Sequence, residues 1–232
     1  MRPHAPEPPF TSRLEKREAA FVLAYLPVHL VVMQLLCGYL FAQKLLTEAQ
    51  ANFLYYAVGF VYMLVFAFRF LRRDFDPLAD HPFTCLRTVV RGLLAMYCCD
   101  YLLVLLFQSL LPEAQSPNDA ALQAAVVREA GLMRAELVYL TPLVEEMLFR
   151  AGIFGLLRRK NRLAAYLVSS LCFCLYHVAP YAVREPAYWL FLLQYLPVSL
   201  LLARCYERCS TIWAPIFFHA AVNAIAVSII LL

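Results

Sequence analysis

The stretch Leu140-Thr141-Pro142-Leu143-Val144-Glu145-Glu146-Met147-Leu148-Phe149-Arg150-Ala151-Gly152-Ile153-Phe154 puts three charged side chains and a proline into otherwise apolar sequence. Its surroundings, Leu132–Leu157, are long enough to cross a hydrocarbon core about 30 Å thick. A charged group inside lipid costs roughly 2.5–3.5 kcal/mol on insertion scales. Two other apolar segments carry comparable anomalies, Phe173-x-x-x-His177 and His219-x-x-x-Asn223. A chain that accepts this expense on three segments is expected to use the residues together.

Working outward, 63% of the 232 residues are hydrophobic and 16% are charged. A soluble domain is nearer half apolar and a quarter charged. The expected fold class is therefore all-α, a polytopic transmembrane helical bundle of about seven spans. Helices are the default because lipid offers no partner for free backbone groups. By length and hydropathy the spans run Phe21–Leu46, Asn52–Leu71, Thr88–Leu111, Leu132–Leu157, Leu163–Pro180, Ala187–Leu202 and Thr211–Leu232. Residues 1–20 read as a cytoplasmic tail and residues 21–232 as one transmembrane bundle, with a catalytic core at about 132–232. The tail has no apolar core, so it does not read as a cleavable signal peptide.

The net charge of +4 is unevenly spread. Arg2, Arg13, Lys16 and Arg17 precede the first span. Arg69, Arg72, Arg73, Arg87 and Arg91, then Arg158, Arg159, Lys160 and Arg162, then Arg204 and Arg208 fall in connections on that same side. Only Lys44, Arg128, Arg134 and Arg184 fall opposite. Basic residues mark the cytoplasmic side, so the N-terminus is expected there and the C-terminus outside. In the outer connection Pro112–Gly131, Ser116-Pro117-Asn118-Asp119 reads as a turn. Asn118 or Asp119 is expected to cap a short helix ending near Arg128. The eight cysteines form no secreted disulfide framework. Cys205 and Cys209 have the spacing of two metal ligands, which is too few for a site.

Counting depth at 1.5 Å per residue from the nearest basic residue puts Glu145 about 20 Å in, His177 about 22 Å, His219 about 16 Å and Asn223 about 22 Å. All four fall in one layer. By the same count Asp100 and Arg150 both lie about 12–13 Å deep, and they are expected to pair. On a helix, residues four apart share a face. Arg150 is four from Glu146 and five from Glu145, so Glu146 is the ion-pair partner and Glu145 is free to face a cavity. A buried carboxylate without a cation suits proton abstraction near neutral pH. His relays protons, and Asn can hold an oxyanion. Pro142, one turn before the glutamates, is expected to loosen the helix. Phe173 is expected to pack on His177.

These three motifs, in this order, resemble those of the CAAX-protease and bacteriocin-processing family, also called Abi. The resemblance covers Leu137–Ala226. It implies a multi-helix intramembrane glutamic endopeptidase that hydrolyses a peptide bond in a membrane-associated or lipidated protein or peptide. Carried over, Glu145 activates water together with His177. His219 and Asn223 stabilise the oxyanion, while Glu146 and Arg150 support the site. No cofactor is called for. If a metal is held, Glu145, His177 and His219 form a one-carboxylate, two-histidine set suited to zinc. The implied partners are the lipid bilayer and that substrate, with no nucleic acid, and the implied setting is a bacterial cytoplasmic membrane. Intramembrane Glu, His and Asp also mark proton pathways, so a proton-coupled transporter stands as an alternative. A non-enzymatic immunity or scaffold protein of the same fold is another.

Overall fold

The computed structural model describes residues 10–110 and 116–232. Residues 1–9 of the expected tail, Arg2 among them, and the start of the outer connection at 112–115 lie outside the described residues. Among the described residues every regular element is helical. The main helices are α1 (Lys16–Ala42), α2 (Glu48–Phe66), α3 (Pro82–Leu110), α4 (Pro117–Arg128), α5 (130–158), α6 (Arg162–Ala182), α7 (Pro186–Cys209) and α8 (Trp213–Ile230).

Six of these are long and apolar enough to cross a membrane: α1, α2, α3, α6, α7 and α8. Their outer faces carry many exposed large hydrophobics, among them Leu35, Phe83, Tyr101 and Leu163. The protein is an integral membrane protein. Helix α5 is the exception that completes the expected bundle. It packs against α1, α2, α6, α7 and α8, and residues 141–152 are buried without a break. A helix enclosed by other helices need not be apolar, which is how the charged stretch is accommodated.

Local signals fix the helix ends. Thr47 and Gln50 form a capping box at α2, with Gln50 N–H donating to Thr47 Oγ1 and Thr47 N–H donating to Gln50 Oε1. Asn161 Oδ1 accepts from Ala164 N–H at the start of α6. Helix α4 ends at Arg128 as expected, but its cap is Ser116, whose Oγ accepts from Asp119 N–H. Asn118 and Asp119 already lie inside the helix. Their side chains reach α7 instead, where Asn118 Nδ2 and Gln194 Nε2 are donors and Tyr195 and Asp119 take part.

The first span lies about five residues earlier than expected, at Lys16–Ala42, and the second at Glu48–Phe66; two other boundaries moved further. Helix α3 begins at Pro82 rather than Thr88, because proline is well tolerated in a first turn. Helix α7 runs on to Cys209, where Ser210 takes the left-handed conformation at φ 50° and ends it. All eight cysteines are free thiols.

The basic end is knotted by polar contacts. Arg158 and Arg162 both reach Glu207, which also accepts from Tyr166. Arg73 pairs with Glu18 at 2.9 Å, and Arg159 donates to Leu14 O at 2.7 Å. Ser12 Oγ bonds Tyr206 Oη at 2.7 Å. Asp74 accepts from Ile212 N–H through its carboxylate and from Thr211 Oγ1 through its carbonyl. The chain ahead of α1 is thereby strapped across the turn between α7 and α8.

Candidate active site

Helix α5 is irregular on both sides of its glutamates. Residues Glu136–Leu140 and Met147–Phe154 are π-helical, with Thr141–Glu146 as an α-helical turn between them. Pro142 has no N–H to donate, and wide turns often accompany functional sites. In π register the donor for Leu137 O would be residue 142. Asn223 Nδ2 supplies a bond to that carbonyl at 2.8 Å. Asn223 therefore braces the loosened turn with one N–H and keeps a second, and it lines the cavity described below.

The glutamates divide as helical phase predicted. Glu146 Oε2 sits 3.2 Å from Arg150 Nε, with both side chains fully buried. Arg150 Nη2 also donates to Ser199 Oγ at 3.2 Å, and its guanidinium lies 4.2 Å over the Phe173 ring. The other oxygen, Glu146 Oε1, accepts from His219 Nδ1–H at 2.8 Å. Glu146 thus couples the arginine to a site histidine, a link that helical phase alone did not reveal.

The expected pairing of Asp100 with Arg150 does not form. Arg150 is satisfied by Glu146 of its own helix and by Ser199. The depth count for Asp100 also started too late: from Pro82 it is eighteen residues into α3, or about 27 Å. Asp100 lines the cavity instead.

Glu145 faces that cavity. Its Oε1 accepts from Tyr56 Oη–H at 2.7 Å. Its Oε2 has no hydrogen-bond partner. It lies 3.8 Å from His177 Nε2 and 3.9 Å from His219 Nε2. Those distances are too long for direct hydrogen bonds and leave three polar atoms around one small gap.

The histidine tautomers follow from their other nitrogens. His177 Nδ1 donates to Phe173 O at 3.0 Å, so its Nε2 presents a lone pair. The His177 ring lies between Phe173 and Tyr195, with centroids 4.5 and 4.8 Å away. Phe173 packs as expected and also spans the space between His177 and Arg150.

The sequence reading missed the aromatic shell behind Glu145. Tyr56 Oη contacts Tyr176 Oη at 2.9 Å, and Tyr55 Oη contacts Tyr176 Oη at 3.2 Å. His29, wholly buried, sits 3.3 Å from Tyr176 Oη and 4.2 Å between ring centroids from Tyr55. His29 was available as a signal, since an imidazole within a span is anomalous on the same cost argument. The tyrosines gave none, because membrane helices commonly carry them.

The site opens into a cavity of about 790 Å³. Beyond Glu145, His177 and His219, its wall includes Gln34, Glu48, Asn52 and Asp119. Those residues lie where α1 ends, α2 begins and α4 begins, at the end of the bundle away from the basic knot.

Residues 130–225 match the family described as Type II CAAX prenyl endopeptidase Rce1-like. All three motifs lie within that match, and the resemblance read from them is borne out. Over these residues the chain is similar to a family of CAAX-type endopeptidases. No curated protein and no solved structure matches the chain.

Proposed function

We propose that the protein is an intramembrane endopeptidase that hydrolyses a peptide bond of a membrane-associated or lipidated substrate with water activated by Glu145 and His177. The observation that carries this reading is the convergence of Glu145 Oε2, His177 Nε2 and His219 Nε2 at 3.8 and 3.9 Å on the wall of a large cavity.

In the proposed reaction a water occupies the gap between these atoms. Glu145 Oε2 takes a proton from it as the new C–O bond forms on the scissile carbonyl. Tyr56 holds the far carboxylate oxygen, so the receiving oxygen is fixed in place. His177 Nε2 accepts the second O–H of the water and orients its lone pair. The second N–H of Asn223 and the Nε2–H of a protonated His219 face the developing oxyanion. Glu146, itself held by Arg150, balances the charge on His219. Collapse of the intermediate breaks the C–N bond, and the proton held by Glu145 passes to the leaving amine.

Zinc is not part of this proposal. A tetrahedral zinc with ligands at 2.0–2.1 Å holds them roughly 3.3–3.4 Å apart. The spacings of 3.8 and 3.9 Å are wider. Among the described residues no group of three His, Cys, Asp or Glu side chains is placed to hold a metal.

The test uses purified protein in detergent with a panel of quenched fluorogenic and lipidated peptides. Cleavage by the wild type should fall about 10²–10⁴-fold in Glu145→Gln, the range of one general base. A strong chelator should leave the wild-type rate unchanged. Equal cleavage by both proteins overturns the assignment of Glu145, and zinc-restorable loss on chelation overturns the metal-free mechanism.

A further inference from the structure

The cavity wall carries five carboxylates, from Glu48, Asp100, Asp119, Glu136 and Glu145, and among the described residues no Lys or Arg lines it. Three of the five have explained partners. Glu48 lies 3.6 Å from Arg128. Asp119 accepts from Gln194 and Tyr195. Glu145 belongs to the proposed catalytic group. Asp100, on α3, and Glu136, on α5, are left lining the cavity.

Glu136 is the informative one. It is 2% exposed, and its Oε2 has no hydrogen-bond partner. Thr141 Oγ1, at the far edge of the same π-helical turn, is also buried without a partner and lines the same wall. Arg134, two residues earlier, is exposed and does not line the cavity. An unpaired buried carboxylate is costly, and an unmade hydrogen bond at a buried hydroxyl adds to it. An ordinary core would have removed both groups. The wide turn that exposes them to the cavity is a backbone irregularity of the kind found at functional sites.

We infer that Glu136, with Thr141 beside it, forms a subsite for a cationic side chain, Lys or Arg, of the peptide substrate. This rests on the endopeptidase reading for its location and on the carboxylate for its chemistry. A basic side chain supplies the charge that neutralises Glu136 and an N–H donor for Thr141. Its aliphatic stem suits a wall that also carries the rings of Tyr97, Tyr181 and Tyr195. The subsite lies between Glu145 and the end of the bundle away from the basic knot. Glu136 precedes Glu145 by nine residues of helix, at most about 13 Å. An extended peptide advances about 3.3 Å per residue, and a basic side chain itself reaches several ångströms. The recognised residue therefore stands two to four positions from the cut bond.

Two measurements test this. In the first, quenched peptides identical except for one residue carry Lys, Gln or Glu at each of four positions on either side of the cut. The wild type should prefer Lys over Gln by about tenfold in kcat/KM at one position two to four residues away, a typical effect for one desolvated charge pair. Glu should be the poorest. Glu136→Gln should bring the Lys-to-Gln ratio close to one, and Glu136→Arg should invert it. In the second, fluorescent versions of the same peptides are titrated against Glu145→Ala and against Glu145→Ala/Glu136→Gln. The Lys preference should appear in Kd for the first protein and vanish in the second. A wild type that cleaves nothing, while Glu145→Ala still selects Lys, refutes the endopeptidase reading and leaves the cationic subsite standing. Cleavage with no charge preference, a preference unchanged by Glu136→Gln, or no peptide binding at all refutes the subsite.

Discussion

Tyr56 contributes one hydroxyl to the site, yet it fixes which oxygen of Glu145 is free. Removing it with Tyr56→Phe should lower kcat about 10- to 100-fold with KM little changed, since a hydrogen bond to a charged group is worth about 1.5–3 kcal/mol. A steady-state comparison on any cleaved peptide checks this. Arg150 should behave differently. It is fully buried against Glu146, Ser199 and the face of Phe173. Arg150→Ala leaves Glu146 as an uncompensated buried charge, and should cost about 3–5 kcal/mol of stability, read as a large drop in melting temperature before any assay of activity. The Glu146–Arg150 pair was legible in the sequence because both residues share a helix and spacing fixes phase. Asp100 was misread because depth gives a layer and no direction around the helix axis. Tyr56 was invisible because nothing in its local sequence distinguishes a tyrosine that anchors a carboxylate from one that sits among lipids.

At the level of elements, the irregular central helix depends on close approaches by its smoother neighbours. Gly59 of α2 is one such point, since a Cβ there would stand 3.1 Å from both Tyr25 Oη and Val144 Cγ1, the latter one residue before Glu145. Gly92 of α3 is tighter still: a Cβ would come within 2.5 Å of Phe218 Cε1, and Phe218 is fully buried. Gly92→Ala should therefore destabilise by about 1–3 kcal/mol, the usual range for overpacking. Phe218→Leu in the same protein should recover part of the loss, and thermal melts of the single and double variants measure it. The existence and order of the membrane helices were legible because apolar runs declare themselves. The loosening around Pro142 was legible as well. What escaped was its form, two π-helical turns, because the second lies beyond the proline in residues with no helix-breaking signal. The cap of α4 was placed on Asn118 or Asp119 when Ser116 holds it, since all three residues can cap and only the bend before Pro117 selects among them.

At the scale of the whole molecule, Asp74 is where the segment before α1, the connection after α2 and the turn into α8 meet. Burial pushes its carboxyl up from 3.8 to about 6. A folded-state value above the unfolded one means the folded protein holds the proton more tightly. That contribution to stability is complete below about pH 4 and is lost as pH rises through 6. The melting temperature should thus carry a downward component between those limits. Asp74→Asn, which keeps an oxygen for Ile212 N–H, should remove that component. A pH series of thermal melts on both proteins decides it, and parallel curves would show that Asp74 does not set the trend. The gathering of basic residues at this end was legible from charge counting. The strap that ties them together was not, because it is built from long-range contacts such as Ser12 with Tyr206.

The cavity extends away from that strapped end, to Gln34, Glu48, Asn52 and Asp119. Under the proposed function, a chain that enters from this end meets the carboxylates of Glu48 and Asp119 before it reaches Glu145. The approach then sorts chains by charge before any bond comes within reach of the glutamate.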